Sequence, residues 1–510
     1  MLSKIFSASI LGIEAKPVIV EIDISQGLPG LNIVGLADTT VKEARERIKA
    51  AIINSDLGFP RGKIIINLAP ANIKKKGSHF DLAMAIGILS ASNKIETLGI
   101  DTYGFIGELS LDGSINIVKG LLPMVIALRD RGINNIIIPR GNKEEAVLVQ
   151  GINLILADNL KQVVDHFNRA KLLTPYIKEG KFNRQALSRD ENLDFKDVKG
   201  QEVAKRVISI AVAGNHGLLM TGSPGTGKTM MAERIPSVMP EMNYDEIIET
   251  TIIYSVAGQL TKENPYITKR PFRKPHHRIT PAGLIGGGSD PKPGEISLAN
   301  KGVLFLDEVG EFGAGLIDML RVPLEKKEIS LFRKGDNFIY PADFLLVAAT
   351  NPCKCGYYGD PTHKCKCKDY EIDKYKARLS GPILDRIDLH MTLQPITYDG
   401  LESIDSMSSA DMRKQIEKTI KIQEERYARL PIKYNSQLDN GNIEEACLMG
   451  RDEKKLLQNA FNKLNLNPRT LFKTVKIART IADMEESETV RCQHIAEALQ
   501  YRSSLEYDKR

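Results

Sequence analysis

The arrangement of apolar and polar positions divides the chain into three parts. Up to about residue 170, short β-branched runs (PVIVEIDIS, KIIINLA, INNIIIP) are separated by turn signals. They alternate with TTVKEARERIKAAIINS and FDLAMAIGILSAS, in which apolar residues recur every three or four positions. Short β-branched runs suit strands and the 3.6-residue period suits helices, so 1–170 is expected to be an α/β domain. The opening MLSKIFSASILGIEAK runs into this pattern without a small-residue cleavage site and reads as a first strand. Residues 171–193 are polar, charged and poor in β-branched types, as in a linker. Over 194–395, continuously apolar runs (HGLLMTG, GVLFLDE, DFLLVAAT) alternate with helical segments, which suits a parallel sheet covered on both faces. Over 396–510 strand signals vanish, and DMRKQIEKTIKIQEERYARL and EKKLLQNAFNKLN predict a helical domain.

Composition adds exclusions. Apolar residues make up 42% and charged residues 26% of the 510 positions, which excludes collagen-like and mostly disordered classes. No apolar run reaches the roughly 18–20 residues of a membrane span. Six cysteines, four of them between 353 and 367, do not resemble a disulfide framework, so a cytoplasmic protein is the default expectation.

The chemistry concentrates in the middle part. Gly222-Ser223-Pro224-Gly225-Thr226-Gly227-Lys228-Thr229 satisfies G-x-x-x-x-G-K-[ST] after an apolar strand and before a helical segment. In that setting backbone N–H groups crowd the phosphates, the helix N-terminus adds its dipole, Lys228 neutralises β/γ-phosphate charge and Thr229 ligates Mg²⁺. Asp307 and Glu308 end the apolar run 302–306, where open α/β sheets bind ligands. Asp307 is expected to hold Mg²⁺ through water and Glu308 to activate the attacking water. Asn351 ends a third apolar run and is placed to read the same water or the γ-phosphate. These spacings predict ATP and Mg²⁺ as cofactors.

Two further clusters stand out. Cys353-x-Cys355 and Cys365-x-Cys367 put four thiols within fifteen residues, a set that suits one tetrahedral Zn²⁺, with His363 an alternative ligand. Residues 269–278 carry five Lys/Arg (Lys269, Arg270, Arg273, Lys274, Arg278) and no acid, and their prolines and the glycines at 286–288 suggest an inserted loop. Nearly the whole net charge of +6 is matched by this one stretch. Residues 329–340 read as a hairpin turning at 334–337, with Arg333 and Lys334 at its tip.

Long segments in fixed order, among them GLPGLNIVGLADTTVKEARERIKAAI, GSPGTGKT, RPFRKPHHRITPAGLIGGGSDPKPGEISLANKGVLFLDEVGEF, NPCKCGYYGDP, GPILDRIDLH and KIARTIAD, resemble the ComM/YifB family of magnesium-chelatase-like AAA+ ATPases. The resemblance runs nearly end to end. It implies a homo-hexameric ring with ATP between subunits, Asn351 as a sensor, Arg386 as arginine finger (Arg378 its rival) and Arg469 as lid sensor (Arg479 its rival). It further implies an ATP-driven DNA helicase that drives branch migration in recombination or natural transformation. The alternative is an ATPase subunit that remodels a protein partner. By analogy with ring helicases, Arg270, Arg273, Lys274, Arg278, Arg333 and Lys334 would grip DNA phosphates in the channel without reading sequence. GFIGELSLDGSINIVKGLLPMVIALRDRGINNIIIP resembles the Lon-protease fold, which is S5-like. The alignment sets His79 where the nucleophile belongs and Leu122 where the lysine belongs, with Ser78 and Lys119 close by, so the domain is expected to be non-catalytic. Lys74, Lys75 and Lys76 would give it a basic edge.

Overall fold

The computed structural model describes residues 2–176, 193–288, 291–333, 335–378, 384–395, 406–464 and 466–502. Of the expected linker, 177–192 lie outside this set, as do Lys334 and residues 396–405 at the expected start of the helical domain. The chain is α/β in class, with a parallel sheet in its middle part.

The first part is one eight-stranded sheet. Strands β1 (Leu2–Leu11), β2 (Glu14–Ser25), β3 (Gly30–Val34), β4 (Lys63–Ala69), β5 (Tyr103–Phe105), β6 (Asn135–Pro139), β7 (Asn153–Ala157) and β8 (Pro175–Tyr176) lie in the order β8-β7-β6-β5-β1-β2-β4-β3. The β1–β2 hairpin pairs Leu2 with Asp23 through Leu11 with Glu14, whereas β5, β6 and β7 run parallel. Helices α1 (Thr39–Asn54), α2 (Asp81–Ala91) and α3 (Leu121–Asp130) cover it. Asp38 caps α1 by accepting from the Val41 N–H, which satisfies one of the orphan donors of its first turn. Every residue of α2 is buried, so this helix is the centre of the domain's core.

The second part carries the sheet expected from its apolar runs. It is preceded by helix α4 (Glu202–Gly214) and built from β9 (Leu218–Gly222), β10 (Phe272–Arg273), β11 (Val303–Leu306), β14 (Leu345–Thr350) and β15 (Leu389–Leu393), all parallel, in the order β10-β11-β14-β9-β15. Helix α5 (Lys228–Val238) leaves β9, which lies next to the central strand β14, and α6 (Tyr244–Ala257) follows. A side hairpin pairs β12 (Glu328–Arg333) with β13 (Asp336–Pro341); Arg333 faces Asp336, so its turn is shorter than the four residues expected. Phe272 and Arg273 are not part of an inserted loop. They form the edge strand of the main sheet, because Phe272 stacks on Phe305 and Gly302 meets the Pro271 backbone too closely for any side chain.

Helices α7 (Ser409–Arg426), α8 (Arg451–Lys463), α9 (Pro468–Met484) and α10 (Cys492–Gln500) make up the last part, with no strand among the described residues beyond Leu393. They share a core with β9 and α4, and the Ser409 hydroxyl accepts the Phe195 N–H. The first part is joined to the second as closely. Met242 and Ile247 at the start of α6 enter the apolar cluster of Leu121, Val125 and Ile138. The Gly120 N–H donates to Ser255 O (3.1 Å), and the Ser255 hydroxyl donates to buried Glu145.

Candidate nucleotide site

The phosphate loop spans the end of β9 and the start of α5. Gly225 and Gly227 have φ of +84° and +87°, a left-handed backbone that a Cβ would strain, and Gly225 faces open space. Lys228 Nζ lies 2.6 Å from Gly222 O, 3.0 Å from Ser223 O and 3.2 Å from Asn351 Oδ1. Burial pulls its pKa below the usual lysine value, against the opposing pull of Asp307 and Glu308. A half-buried cation whose direct partners are all neutral acceptors suits an incoming polyphosphate. Thr226 turns inward and donates to Ser223 O (2.8 Å), closing the loop on itself.

The acids arrive on the neighbouring strands. Thr229 Oγ1 donates to Asp307 Oδ2 (3.0 Å), so the residues that would hold Mg²⁺ are in direct contact. Glu308 is exposed and has φ +51° and ψ +49°, an unfavourable left-handed conformation for a residue with a Cβ. That turn separates its side chain from Asp307, whose Oδ1 accepts the Glu308 N–H at 3.1 Å. Thus Ser223, Lys228, Thr229, Asp307, Glu308 and Asn351 converge at one end of the sheet from three adjacent strands.

The arginines lie elsewhere. Arg386 Nη2 and Arg469 Nη2 both reach Glu325 Oε1, at 2.7 and 3.0 Å. Burial pushes the Glu325 carboxyl up, but the two arginines outweigh it and hold the group below the usual range. This trio lines a cavity of about 730 Å³ with Asp388, Lys473 and Lys476, and no phosphate-loop residue borders it. Arg378 pairs with Glu311 (3.1 Å), close behind Glu308. Arg479 is fully buried inside the helical domain, donating to Asp483, Ser487 O and Glu488 O, and is a framework residue there.

The basic stretch is largely engaged within its own subunit. Arg270 donates to Pro240 O, Lys301 O and Glu246, with its side chain 7% exposed. Arg273 forms a two-pronged pair with Glu295, both contacts 2.6 Å. Neither is therefore available to DNA as expected. Their partners lie 22 and 24 residues away, a pairing that local charge counting misses. Lys274 Nζ lies 2.8 Å from Asp307 Oδ2, a contact at the heart of the site that spacing did not reveal. Arg278 and Arg333 are exposed, and Lys334 lies outside the described residues.

The four thiols come together. Cys353, Cys355 and Cys365 lie 3.4–3.7 Å apart, and all four Sγ atoms lie within 4.8 Å of one another. A tetrahedral Zn²⁺ with bonds of about 2.3 Å needs sulfur separations of about 3.8 Å. His363 instead stacks on Tyr357. In the first domain Ser78 donates to Glu108, buried His79 bonds Ala8 O (2.9 Å), Leu122 is buried, and Lys119 lies along Gly258. No serine–lysine pair forms among the described residues of this domain. Of the three-lysine edge, Lys75 is buried and donates to Pro70 O, so the run is not a uniformly solvated patch.

A five-stranded parallel sheet with a phosphate loop on the strand beside the central one and acids ending the strand on its other side is the AAA+ class of P-loop protein. Family models agree: "Magnesium chelatase, subunit ChlI" over 194–401, "Subunit ChlI of Mg-chelatase" over 20–142 and "Magnesium chelatase, subunit ChlI C-terminal" over 406–502. Competence protein ComM of Haemophilus influenzae is 40% identical over 99% of this chain and 98% of its own length. YifB of Escherichia coli is 39% identical over 98% of this chain and 97% of its own. The magnesium-chelatase subunit ChlI of Chlorella vulgaris is 26% identical over 31% of this chain and 51% of its own length. The chain belongs to the ComM/YifB family of magnesium-chelatase-like AAA+ ATPases.

Proposed function

We propose that the chain is an ATP-driven motor on DNA that assembles as a homo-hexamer and moves branched junctions during recombination. The carrying observation is the β12–β13 hairpin. Phe332 is 72% exposed and Arg333 is exposed at the tip of this hairpin, whose base packs into the ATPase core; on opposite faces of the strand they offer a stacking ring and a phosphate-seeking cation. Full-length similarity to a protein named for competence supports the same reading. Arg278 joins this surface; Arg270 and Arg273 do not.

In the reaction, Lys228 and the loop N–H groups hold the β/γ-phosphates, and Thr229 and Asp307 hold Mg²⁺, which supplies charge neutralisation at the transferred phosphoryl group. Glu308 takes the proton of the attacking water, and Asn351, fixed by Lys228, orients that water. Arg386 and Arg469 share one acid away from their own phosphate loop, so both act on a neighbouring subunit's γ-phosphate, with Glu325 holding them until it arrives. Arg469 on this reading does not sense its own subunit's nucleotide. The four thiols hold one structural Zn²⁺.

The test is ATP turnover by the wild type and Glu308→Gln with and without four-way DNA, alongside a branch-migration readout. The reading requires DNA-stimulated turnover and junction movement, both abolished by the substitution. Turnover indifferent to DNA at low salt, with no junction movement, would favour a ring that acts on a protein, for which exposed Phe332 would be the gripping residue.

A further inference from the structure

Between the end of β14 at Thr350 and the helix starting at Asp369 the chain runs eighteen residues without a helix or strand. Loops of that length inside a compact domain are uncommon unless something orders them. This one has little apolar core of its own, since Cys353 and Gly356 are its only buried residues. It nevertheless touches the phosphate loop at three points. Asn351 accepts from Lys228 at 3.2 Å. Gly356, with φ +87°, lies so close to Pro224 that an added Cβ would sit 2.7 Å from its Cδ. The Asp360 carboxylate lies beside the Ser223 side chain, which helps hold its pKa down, and it is aimed by the Thr362 and His363 N–H groups, both 2.8 Å away. The four thiols flank these contacts along the chain, Cys353 and Cys355 between Asn351 and Gly356, and Cys365 and Cys367 beyond Asp360.

We propose that Zn²⁺ bound by Cys353, Cys355, Cys365 and Cys367 acts as a latch on the nucleotide loop, so that occupancy of the metal site sets ATP and ADP affinity. The inference rests on the reading of 222–229 as a nucleotide site. Its logic is pre-organisation. With metal, Gly356 and Asp360 are held against Pro224 and Ser223, and the loop N–H groups already face the phosphates. Without metal, the eighteen residues regain conformational freedom, and nucleotide binding must restrict them again. The metal takes no part in hydrolysis and lies outside the shell of Thr229 and Asp307.

The experiment uses the full chain purified with zinc present, zinc per chain measured by atomic emission, and a fluorescent ADP analogue titrated in Mg²⁺ buffer. One zinc per chain is expected. Stripping it should weaken the analogue about tenfold, the size expected for losing a charge-assisted hydrogen bond and its packing, and zinc alone should restore the affinity. Cys365→Ser/Cys367→Ser should lose metal and affinity together. Because that variant can misfold locally, Asp360→Ala supplies a second arm. It should keep its zinc and its thermal midpoint while binding the analogue several-fold more weakly. Absence of zinc, or equal affinity in stripped, Asp360→Ala and loaded protein, would overturn the latch. Failure of the fully loaded chain to bind any nucleotide would overturn the ATPase reading, and the latch with it.

Discussion

Arg479 separates a framework role from a phosphate-sensing one, and Arg479→Met is the cleanest perturbation, since it keeps the stem and removes the guanidinium. The guanidinium donates to Asp483 Oδ1 (2.9 Å), Ser487 O (2.5 Å) and Glu488 O (2.9 Å), while its Nε has no partner. The substitution leaves the part-buried Ser487 and Glu488 carbonyls without this donor, at about 1 kcal/mol each, and removes one charge-assisted bond worth about 2 kcal/mol. Asp483 is not left unpaired, because Arg426 and the Asn435 amide still reach it, so the larger penalty for a stranded buried charge does not apply. Relief of the unsatisfied Nε offsets part of the loss, which leaves a net destabilisation of about 3 kcal/mol. A multidomain chain does not unfold in two states. The measurement is therefore the urea midpoint of the transition that carries the helical signal, read by circular dichroism, together with nucleotide affinity below that midpoint. A lowered midpoint with nucleotide binding retained is expected. An unchanged midpoint with lost ATP turnover would refute the reasoning and make Arg479 a sensor.

On the proposed reading of Asp307 as an Mg²⁺ ligand, Lys274 would compete with the ion for it. As a partly exposed pair it is worth at most about 1 kcal/mol, so Lys274→Met should lower the Mg²⁺ concentration for half-maximal ATP turnover by up to about fivefold. A fall in maximal turnover with unchanged Mg²⁺ dependence would instead place Lys274 on the phosphates. Burial holds the His79 pKa down at about 4, against about 6.5 in an unfolded chain, with Glu108 opposing weakly. The unfolded state therefore takes up this proton first, and stability present above pH 6.5 is lost as pH falls toward 4, by about 3 kcal/mol. His79→Gln should remove that slope from denaturation midpoints measured at pH 7.5 and 5. His390 adds a similar acid-labile slope in both proteins, so identical slopes for wild type and variant would refute the role of His79.

What could be read in advance was whatever a short window of chain contains. The phosphate loop, its strand and its helix are contiguous, and four cysteines two residues apart in pairs announce their convergence. The parallel sheet was legible because a strand buried on both faces must be apolar throughout. What escaped depends on partners supplied by the fold. The stretch 269–278 looked like a free cationic surface, yet Glu246, Glu295 and Asp307 meet three of its five cations from other elements. Lys75 sits between two lysines with no local sign that it turns inward, and Arg469 shows its direction only once Glu325 is in view.

The fused cores of the first two parts have a mechanical consequence. Met242 and Ile247 of the ATPase core complete an apolar cluster that begins at Leu121, and the α6 backbone is tied to Gly120 through Ser255. A single break engineered between Tyr176 and Leu193 should therefore leave the two halves associated, and the nicked protein should elute as one particle. Any movement of α6 would therefore be passed to the eight-stranded sheet through this shared core, making the first domain a lever on the ATPase core in place of a tethered passenger.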